Sequence, residues 1–276
     1  MNGAGNAFIM VDARAIGGAL APSDDDVRAL ASLHPFDQLI ALEHDPSGAD
    51  ARIRFWNCEG PEVGACGNGT RAAAWLMFQD GLRYSLTLSS QGGPMRARRF
   101  DGEAVEVDLG PARLDWQDIP LREPKDTVAM DFDPAIAGFD ALSGPGAVNM
   151  GNPHCVFFVE NVDALDLDRI GPLIEHHPLF PEQVNAGFAE VRSEAEIRLR
   201  VWERGAGLTL ACGTGAAAAL VAAHRQGRTG REAVIKADGG DLPVRWDDHG
   251  HVHLSGPVQM EGDLVLNDRL SRVFGA

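Results

Sequence analysis

The sequence predicts an α+β protein of two pseudo-symmetric domains, each a mixed β-sheet or barrel wrapped round a central helix, with an active site in the cleft between them. Two observations carry this reading. A long block of sequence recurs at a constant offset, and each copy holds a small-residue helix flanked by strand-like runs. Without a gap, residues 52–111 match residues 198–257 at 15 of 60 positions, an offset of 146. Chance predicts about 4, at roughly one match in fifteen.

The matches fall in clusters. Arg52-Ile53-Arg54-Phe55-Trp56 returns as Arg198-Leu199-Arg200-Val201-Trp202, and Ala65-Cys66-Gly67 as Ala211-Cys212-Gly213. Gly69 falls on Gly215, Ala72-Ala73 on Ala218-Ala219, Gly81 on Gly227, and Gly110-Pro111 on Gly256-Pro257. Further upstream, Gly5-Asn6 falls on Gly151-Asn152. A repeat of this length exceeds any solenoid unit and has the size of a domain. In each copy the alternating run 52–56 or 198–202 reads as a half-buried strand. A glycine-rich turn leads into a helix, from about Asn68 to Asp80 and from about Thr214 to Gln226. Gly81 and Gly227 then stand where a left-handed glycine stops a helix. Alanine on nearly every face implies that both helices are closely enclosed. Runs such as 104–109 and 251–254 follow as short strands between turn residues. The domain split falls near Leu114.

Composition narrows the function. The 276 residues carry 24 basic and 40 acidic side chains, a net charge of −16, which disfavours nucleic acid or an anionic membrane as partner. No apolar run reaches the ~18 residues of a membrane span. Asp12 and Arg14 interrupt any apolar leader near the N-terminus, so the expected location is the cytoplasm. Only two lysines occur, Lys125 and Lys236. Neither follows glycine in a phosphate-binding loop. A pyridoxal enzyme needs one of them as its Schiff base, yet Lys125 lies in a proline-flanked loop and Lys236 in the strand-like run 233–237. No cofactor is expected. Cys58, Cys66, Cys155 and Cys212 read as free thiols in such a chain, and their spacing lacks the paired knuckles of a structural zinc site.

Two of the cysteines occupy equivalent places, Cys66-Gly67-Asn68-Gly69 and Cys212-Gly213-Thr214-Gly215, each where a strand turns into a helix. The first helical amides have no partner within the helix, and the helix dipole puts partial positive charge there. A thiol at that point is expected to have a lowered pKa. The glycines allow a ligand to approach the same amides, which can hold a carboxylate. Two acid–base groups on either side of one carbon suit inversion at a stereocentre, one removing the proton and the other returning it to the opposite face. Small buried packing residues are the competing reading for both cysteines. Nine residues before each cysteine stand Asn57 and Glu203, with Arg204 after the second. Polar groups at those strand ends favour the acid–base reading.

The residues resemble those of the diaminopimelate epimerase family. The resembling segments are Gly3-Ala4-Gly5-Asn6, Arg54-Phe55-Trp56-Asn57, Glu62-Val63 with Cys66-Gly67-Asn68-Gly69-Thr70-Arg71, Gly151-Asn152-Pro153-His154, Val184-Asn185, and Trp202-Glu203-Arg204-Gly205-Ala206-Gly207 leading to Ala211-Cys212-Gly213-Thr214-Gly215. They run in family order along nearly the whole chain. The resemblance implies cofactor-independent two-base epimerisation of LL-2,6-diaminopimelate to the meso form, in lysine and peptidoglycan precursor synthesis. It implies Cys66 and Cys212 as the catalytic bases, with His154 and Glu203 assisting. It further implies substrate contacts from Asn6, Gln38, Asn57, Gly67, Asn68, Asn152, Asn185, Glu203, Arg204, Gly213 and Thr214, and no metal. By the same resemblance the segment after about Val258 returns to the first domain. The domains are then 1–113 with 258–276, and 114–257. The partner is the small-molecule substrate, and a homodimer is left open. Departures are Ala4 and Ala7, where Leu and Asp are more usual, and the turn Cys58-Glu59-Gly60-Pro61.

Other residues have plainer readings. Cys58 fills space at a turn, and Cys155 opens a core strand, where burial leaves a thiol inert. His249, His251 and His253 alternate beside a hairpin turn, a weak metal set without a fourth ligand. His176-His177 closes a helix. Ser23 followed by Asp24-Asp25-Asp26 starts one. The alternatives are a proline or hydroxyproline racemase of the same fold, a non-catalytic amino-acid binder, and a thiol redox protein. Asn68, where the racemases tend to carry histidine, and Arg204 favour the epimerase. Redox use would favour two cysteines close in sequence.

Overall fold

The computed structural model describes residues 1–3, 5–14, 19–64, 66–81, 83–100, 104–132, 142 and 144–274. The chain divides into two compact units, Met1–Asp108 with Ser255–Ala276, and Leu109–Leu254. The expected changeovers are near 113/114 from the repeat and 257/258 from the family resemblance.

The first unit runs β1 (Asn2–Gly3), β2 (Asn6–Asp12), α1 (Asp24–Leu33), β3 (Gln38–Glu43), β4 (Ala51–Asn57), β5 (Glu62–Val63), α2 (Gly67–Gln79), β6 (Ser85–Ser90), β7 (Gly93–Phe100) and β8 (Ala104–Pro111). The second runs β9 (Gly146–Asn149), β10 (Pro153–Phe158), α3 (Leu167–Glu175), β11 (Asn185–Ser193), β12 (Glu196–Glu203), β13 (Gly207–Thr209), α4 (Gly213–Arg225), β14 (Glu232–Ala237), β15 (Gly240–Trp246) and β16 (His251–Gly256). The C-terminal α5 (Asp268–Phe274) belongs to the first unit.

The duplication extends to topology. In the first unit β2 and β3 are parallel, β3 and β4 antiparallel, β4 and β6 parallel, and β6 and β7 antiparallel. The second repeats that sequence of senses for β10 and β11, β11 and β12, β12 and β14, and β14 and β15. The bounds of α2 and α4 differ by the 146-residue offset at both ends.

Each sheet curves about its own helix. α4 touches β9, β10, β11, β12, β14 and β15, and every residue from Ala216 to Ala223 is buried. Alanine fits because the surrounding backbone leaves little room; larger groups there would overpack. α2 is enclosed by β1, β2, β3, β4 and β7 in the same way. β3 is buried on both faces: Ile40 lies against α2 at Gly69, while Leu39 and Ala41 join Val27 and Leu30 of α1 and Leu270 and Phe274 of α5. In the second unit Leu167, Ile170 and Ile174 of α3 cover Cys155, Phe157, Ala186 and Phe188.

The helix ends follow local rules with one exception. Ser23 caps α1 through a capping box with Asp26, and His176 follows α3 as its C-cap. Gly227 takes φ +68° after α4, with Arg228 N–H donating to Ala223 O at 2.9 Å, a left-handed stop. Gly81 is not left-handed: α2 closes on Asp80 in right-handed helical geometry, its N–H reaching Met77 O at 3.3 Å. The expected glycine stop therefore holds only in the second copy.

Packing of α3 on β12 is tight at one point. A Cβ added at Gly171 would lie 2.3 Å from Trp202 Cδ2, so neither helix nor indole can accept it unmoved. Gly171→Ala is expected to destabilise the second unit by about 1–3 kcal/mol. Thermal unfolding of the full chain measures this, and an unchanged melting temperature would show that the contact yields freely.

Candidate functional site

Both cysteines form helix N-caps through sulfur. Cys66 is extended (φ −149°, ψ 114°), and its Sγ accepts from Gly69 N–H at 3.2 Å. Cys212 has φ −125° and ψ 112°, and its Sγ accepts from Gly215 N–H at 3.3 Å. Each sulfur thus takes one of the orphan amides of the first turn. The second glycine of each motif has a packing reason as well. A Cβ at Gly69 would lie 2.8 Å from Ile40 Cδ1, and one at Gly215 3.0 Å from Val201 Cγ2. The helix start approaches the sheet too closely for any side chain at that point.

In the first unit the polar residues gather as two pairs. Asn68 Nδ2 donates to Asn6 Oδ1 at 2.8 Å, and Gln38 Nε2 donates to Asn57 Oδ1 at 3.2 Å. Gln38 and Asn57 are partners in the β3–β4 register. Asn68 Oδ1 and Gln38 Oε1 are buried with no partner of their own. Two unmatched amide oxygens are acceptors available to N–H groups of a ligand. Asp37, absent from the sequence reading, holds the start of β2 by accepting from Ala7 N–H at 2.8 Å and Asn6 Nδ2 at 3.4 Å. Arg71 in α2 is fully buried, with Nε and Nη2 unpaired. Burial lowers its pKa to about 10, and charge on Cys66 acts in the opposite direction.

The second unit assembles a denser network. His154 Nε2 lies 3.0 Å from Asn152 Oδ1 and 3.1 Å from Thr214 Oγ1, and Thr214 Oγ1 lies 3.5 Å from Cys212 Sγ. His154 Nδ1 is buried without a partner, which assigns the ring proton to Nε2, because a bare lone pair costs less there than an unmatched N–H. Burial, helped by the positive Arg204, lowers the His154 pKa to about 3. The ring is neutral and reaches the sulfur through the Thr214 hydroxyl.

Glu203 ends β12 with its carboxylate turned toward Cys212. Thr209 Oγ1 donates to Glu203 Oε1 at 2.5 Å. Burial raises the Glu203 pKa, against the lowering by Thr209 and by the neighbouring Cys212 thiol. The expected lowering of the thiol pKa does not hold for Cys212. Burial pushes this thiol up, and the neighbouring Glu203 charge adds to the rise, outweighing the Thr214 hydroxyl and the Gly215 amide. Desolvation of the thiolate exceeds what one helix terminus returns. The sequence could show Glu203 but not which way it turned.

Asn185 and Arg204 are joined through the backbone. Asn185 Nδ2 donates to Pro153 O at 2.8 Å, and its Oδ1 accepts from Arg204 N–H at 3.0 Å. The Arg204 side chain is exposed and donates from Nη1 to Glu182 O at 2.8 Å. Gly67 and Gly213 are the first residues of α2 and α4. The remaining cysteines lie elsewhere: Cys155 is buried in the core of the second unit, and Cys58 packs at the edge of the α1 cluster. His253 Nε2 is 2.8 Å from Asp247 Oδ2. Among the described residues no cluster of three or more His, Cys, Asp or Glu could hold a metal, and no helix is long and apolar enough to cross a membrane.

Comparison with known proteins identifies the family. The sequence pattern described as diaminopimelate epimerase matches residues 1–114 and 146–261. A diaminopimelate epimerase from Phenylobacterium zucineum is 50% identical over 270 residues, covering 96% of each chain. One from a Methylobacterium species is 46% identical over 269 residues, covering 95% of this chain and 92% of its own. Among solved structures, a hydroxyproline epimerase from Agrobacterium vitis superposes with a TM-score of 0.64 over 99% of this chain and 96% of its own, at 16% identity. That likeness speaks to the fold alone. With half its residues identical to a full-length relative and the family pattern matched in both units, the chain belongs to the diaminopimelate epimerase family.

Proposed function

We propose that this chain converts LL-2,6-diaminopimelate to meso-diaminopimelate by proton transfer through Cys66 and Cys212, without a cofactor. The observation that carries the proposal is the pair of sulfur N-caps, repeated at the same point of two copies of one fold. The reaction belongs to lysine and peptidoglycan precursor synthesis, and we place it in the cytoplasm, where thiols stay reduced.

In this reading one cysteine thiolate removes the α-proton, and the bonding pair stays on the substrate as a carbanion delocalised into its carboxylate. Amides at the starts of α2 and α4 hold that carboxylate. The second cysteine then delivers its proton to the opposite face, so the two sulfurs exchange protonation states in each turnover. Cys212, raised by burial and by Glu203, starts as the proton donor when Cys66 is the base. The chain from His154 through Thr214 steadies the thiolate left on Cys212. Unmatched oxygens of Asn68 and Gln38 supply acceptors for an amine. Asn57, Asn152, Asn185 and Arg204 serve the distal amino-acid end.

Each thiol is needed for one face of the carbon, so Cys66→Ala and Cys212→Ala are each expected to lower turnover by at least ~10²–10⁴-fold. The assay is incubation with one diaminopimelate isomer in deuterated water, after dialysis against chelator. Deuterium at the α-carbon with loss of optical purity supports the proposal. Near-normal turnover in either variant, a requirement for added metal or pyridoxal, or exchange on proline instead would overturn it.

Arg204 offers a planar donor fork that lysine cannot reproduce. Arg204→Lys is therefore expected to reduce kcat/KM for diaminopimelate severely while the melting temperature holds. Unchanged efficiency would place Arg204 outside substrate recognition.

His154 provides a pH test. Unfolded histidine takes a proton near pH 6.5, whereas folded His154 waits until about 3. Between those values the unfolded state binds more protons, so the His154 contribution is complete above pH 6.5 and drains away as pH falls toward 3. By denaturant unfolding, the native chain should lose about 2 kcal/mol more stability on going from pH 7 to pH 5 than His154→Asn does. Parallel profiles would show that His154 is not held neutral.

A further inference from the structure

The turn carrying Glu203 and Arg204 is fastened from outside the substrate-facing residues by a buried carboxylate with no assigned role. Glu175, the last residue of α3, is 5% exposed. Its Oε2 accepts from Trp202 Nε1 at 2.7 Å and its Oε1 from Gly205 N–H at 2.8 Å. These donors stand on either side of Glu203 and Arg204 in the chain. Glu175 O also accepts from Val184 N–H at 3.3 Å, and the next residue, Asn185, accepts from Arg204 N–H. The last turn of α3 therefore touches both anchors of the strand end.

The turn itself is weakly self-supporting. Gly205 and Gly207 both have positive φ, 75° and 77°, and Ala206 N–H to Glu203 O at 3.1 Å is its closing backbone bond. Three exposed residues, 204 to 206, span it. A hairpin loop with two left-handed glycines has little intrinsic preference for one geometry. The Trp202 ring, clamped between Glu175 and the bare Gly171, fixes one end; the Glu175 bond to Gly205 fixes the other.

We infer that Glu175 is a positioning residue, whose two-oxygen clamp on Trp202 and Gly205 sets the direction of Glu203 toward Cys212 and of Arg204 toward substrate. The substrate half of this statement rests on the proposed reaction. The Cys212 half concerns the folded chain alone.

Glutamine keeps the shape of Glu175 but supplies one acceptor oxygen for two donors, leaving an amide N–H₂ against the other. Glu175→Gln should free one end of the turn without emptying the space; Glu175→Ala frees both. The substrate-independent readout is iodoacetamide labelling of the native chain, mapped by peptide mass spectrometry. Cys212, 7% exposed, and Cys155, fully buried in the same unit, serve as local and global reporters.

In Glu175→Gln we expect Cys212 to label at least threefold faster, Cys155 to label at the wild-type rate, and kcat/KM for diaminopimelate to fall at least tenfold. Unchanged Cys212 labelling overturns the inference, as does a parallel rise at Cys155, which would mean that Glu175 only holds the unit together. If Glu175→Ala fails to fold, the glutamine variant still decides. A wild-type chain that never turns over diaminopimelate removes the proposed reaction, and the ratio of the two labelling rates still tests the clamp.

Discussion

The bond from a cysteine sulfur to the amide three residues on fixes much else in this protein. For Sγ to receive that amide, the cysteine must stay extended while the next residue is already helical. The strand leading in must then end within reach of the helix start. The residue donating the amide is pressed against that sheet, which is why it is glycine in both copies. Once the helix begins so close to the sheet, the rest of it runs among strands, and small side chains become necessary along its length. Chemistry and packing share one geometric demand.

The two copies meet that demand alike and then diverge around the sulfur. At the offset of 146 residues, Asn57 stands where the second unit has Glu203, Phe8 where it has His154, Asn68 where it has Thr214, and Arg71 where it has Ala217. The first unit thus carries side-chain amides at these positions and a buried cation that interacts with its thiol. The second surrounds its own with a carboxylate, a hydroxyl and a neutral imidazole. A carboxylate beside a buried thiol favours the protonated form, while a cation favours the thiolate. Duplication supplied two equivalent frames, and substitution gave them different electrostatic surroundings.

Helix α3 shows how the end of a strand is held by a residue far away in the chain. It lies over β11 and β12 with its apolar face in the core, and its last residue turns a carboxylate back to the strand end. Thr209 does comparable work from β13, donating to Glu203. Both would pass as ordinary polar residues in a linear reading. Their partners lie 30 and 6 positions away.

Sequence alone was sufficient for much that depends on short range or on repetition. The offset of 146 exposed the duplication, alternation marked β4 and β12, and small residues marked α2 and α4. Cys-Gly-x-Gly located the strand-to-helix turns, because such a turn is settled within a few residues, and the structure shows that sulfur caps each helix. What tertiary structure decided was burial and direction. Helix position predicts a lowered thiol pKa, but the sheet closing over Cys212 and the inward turn of Glu203 raise it instead. Gly81 and Gly227 look equivalent in the repeat, yet only Gly227 is left-handed. Solvation and orientation are set by whatever packs from distant parts of the chain, and no local pattern records them. That is why the positions of the two cysteines were legible and the electrostatic environment of Cys212 was not.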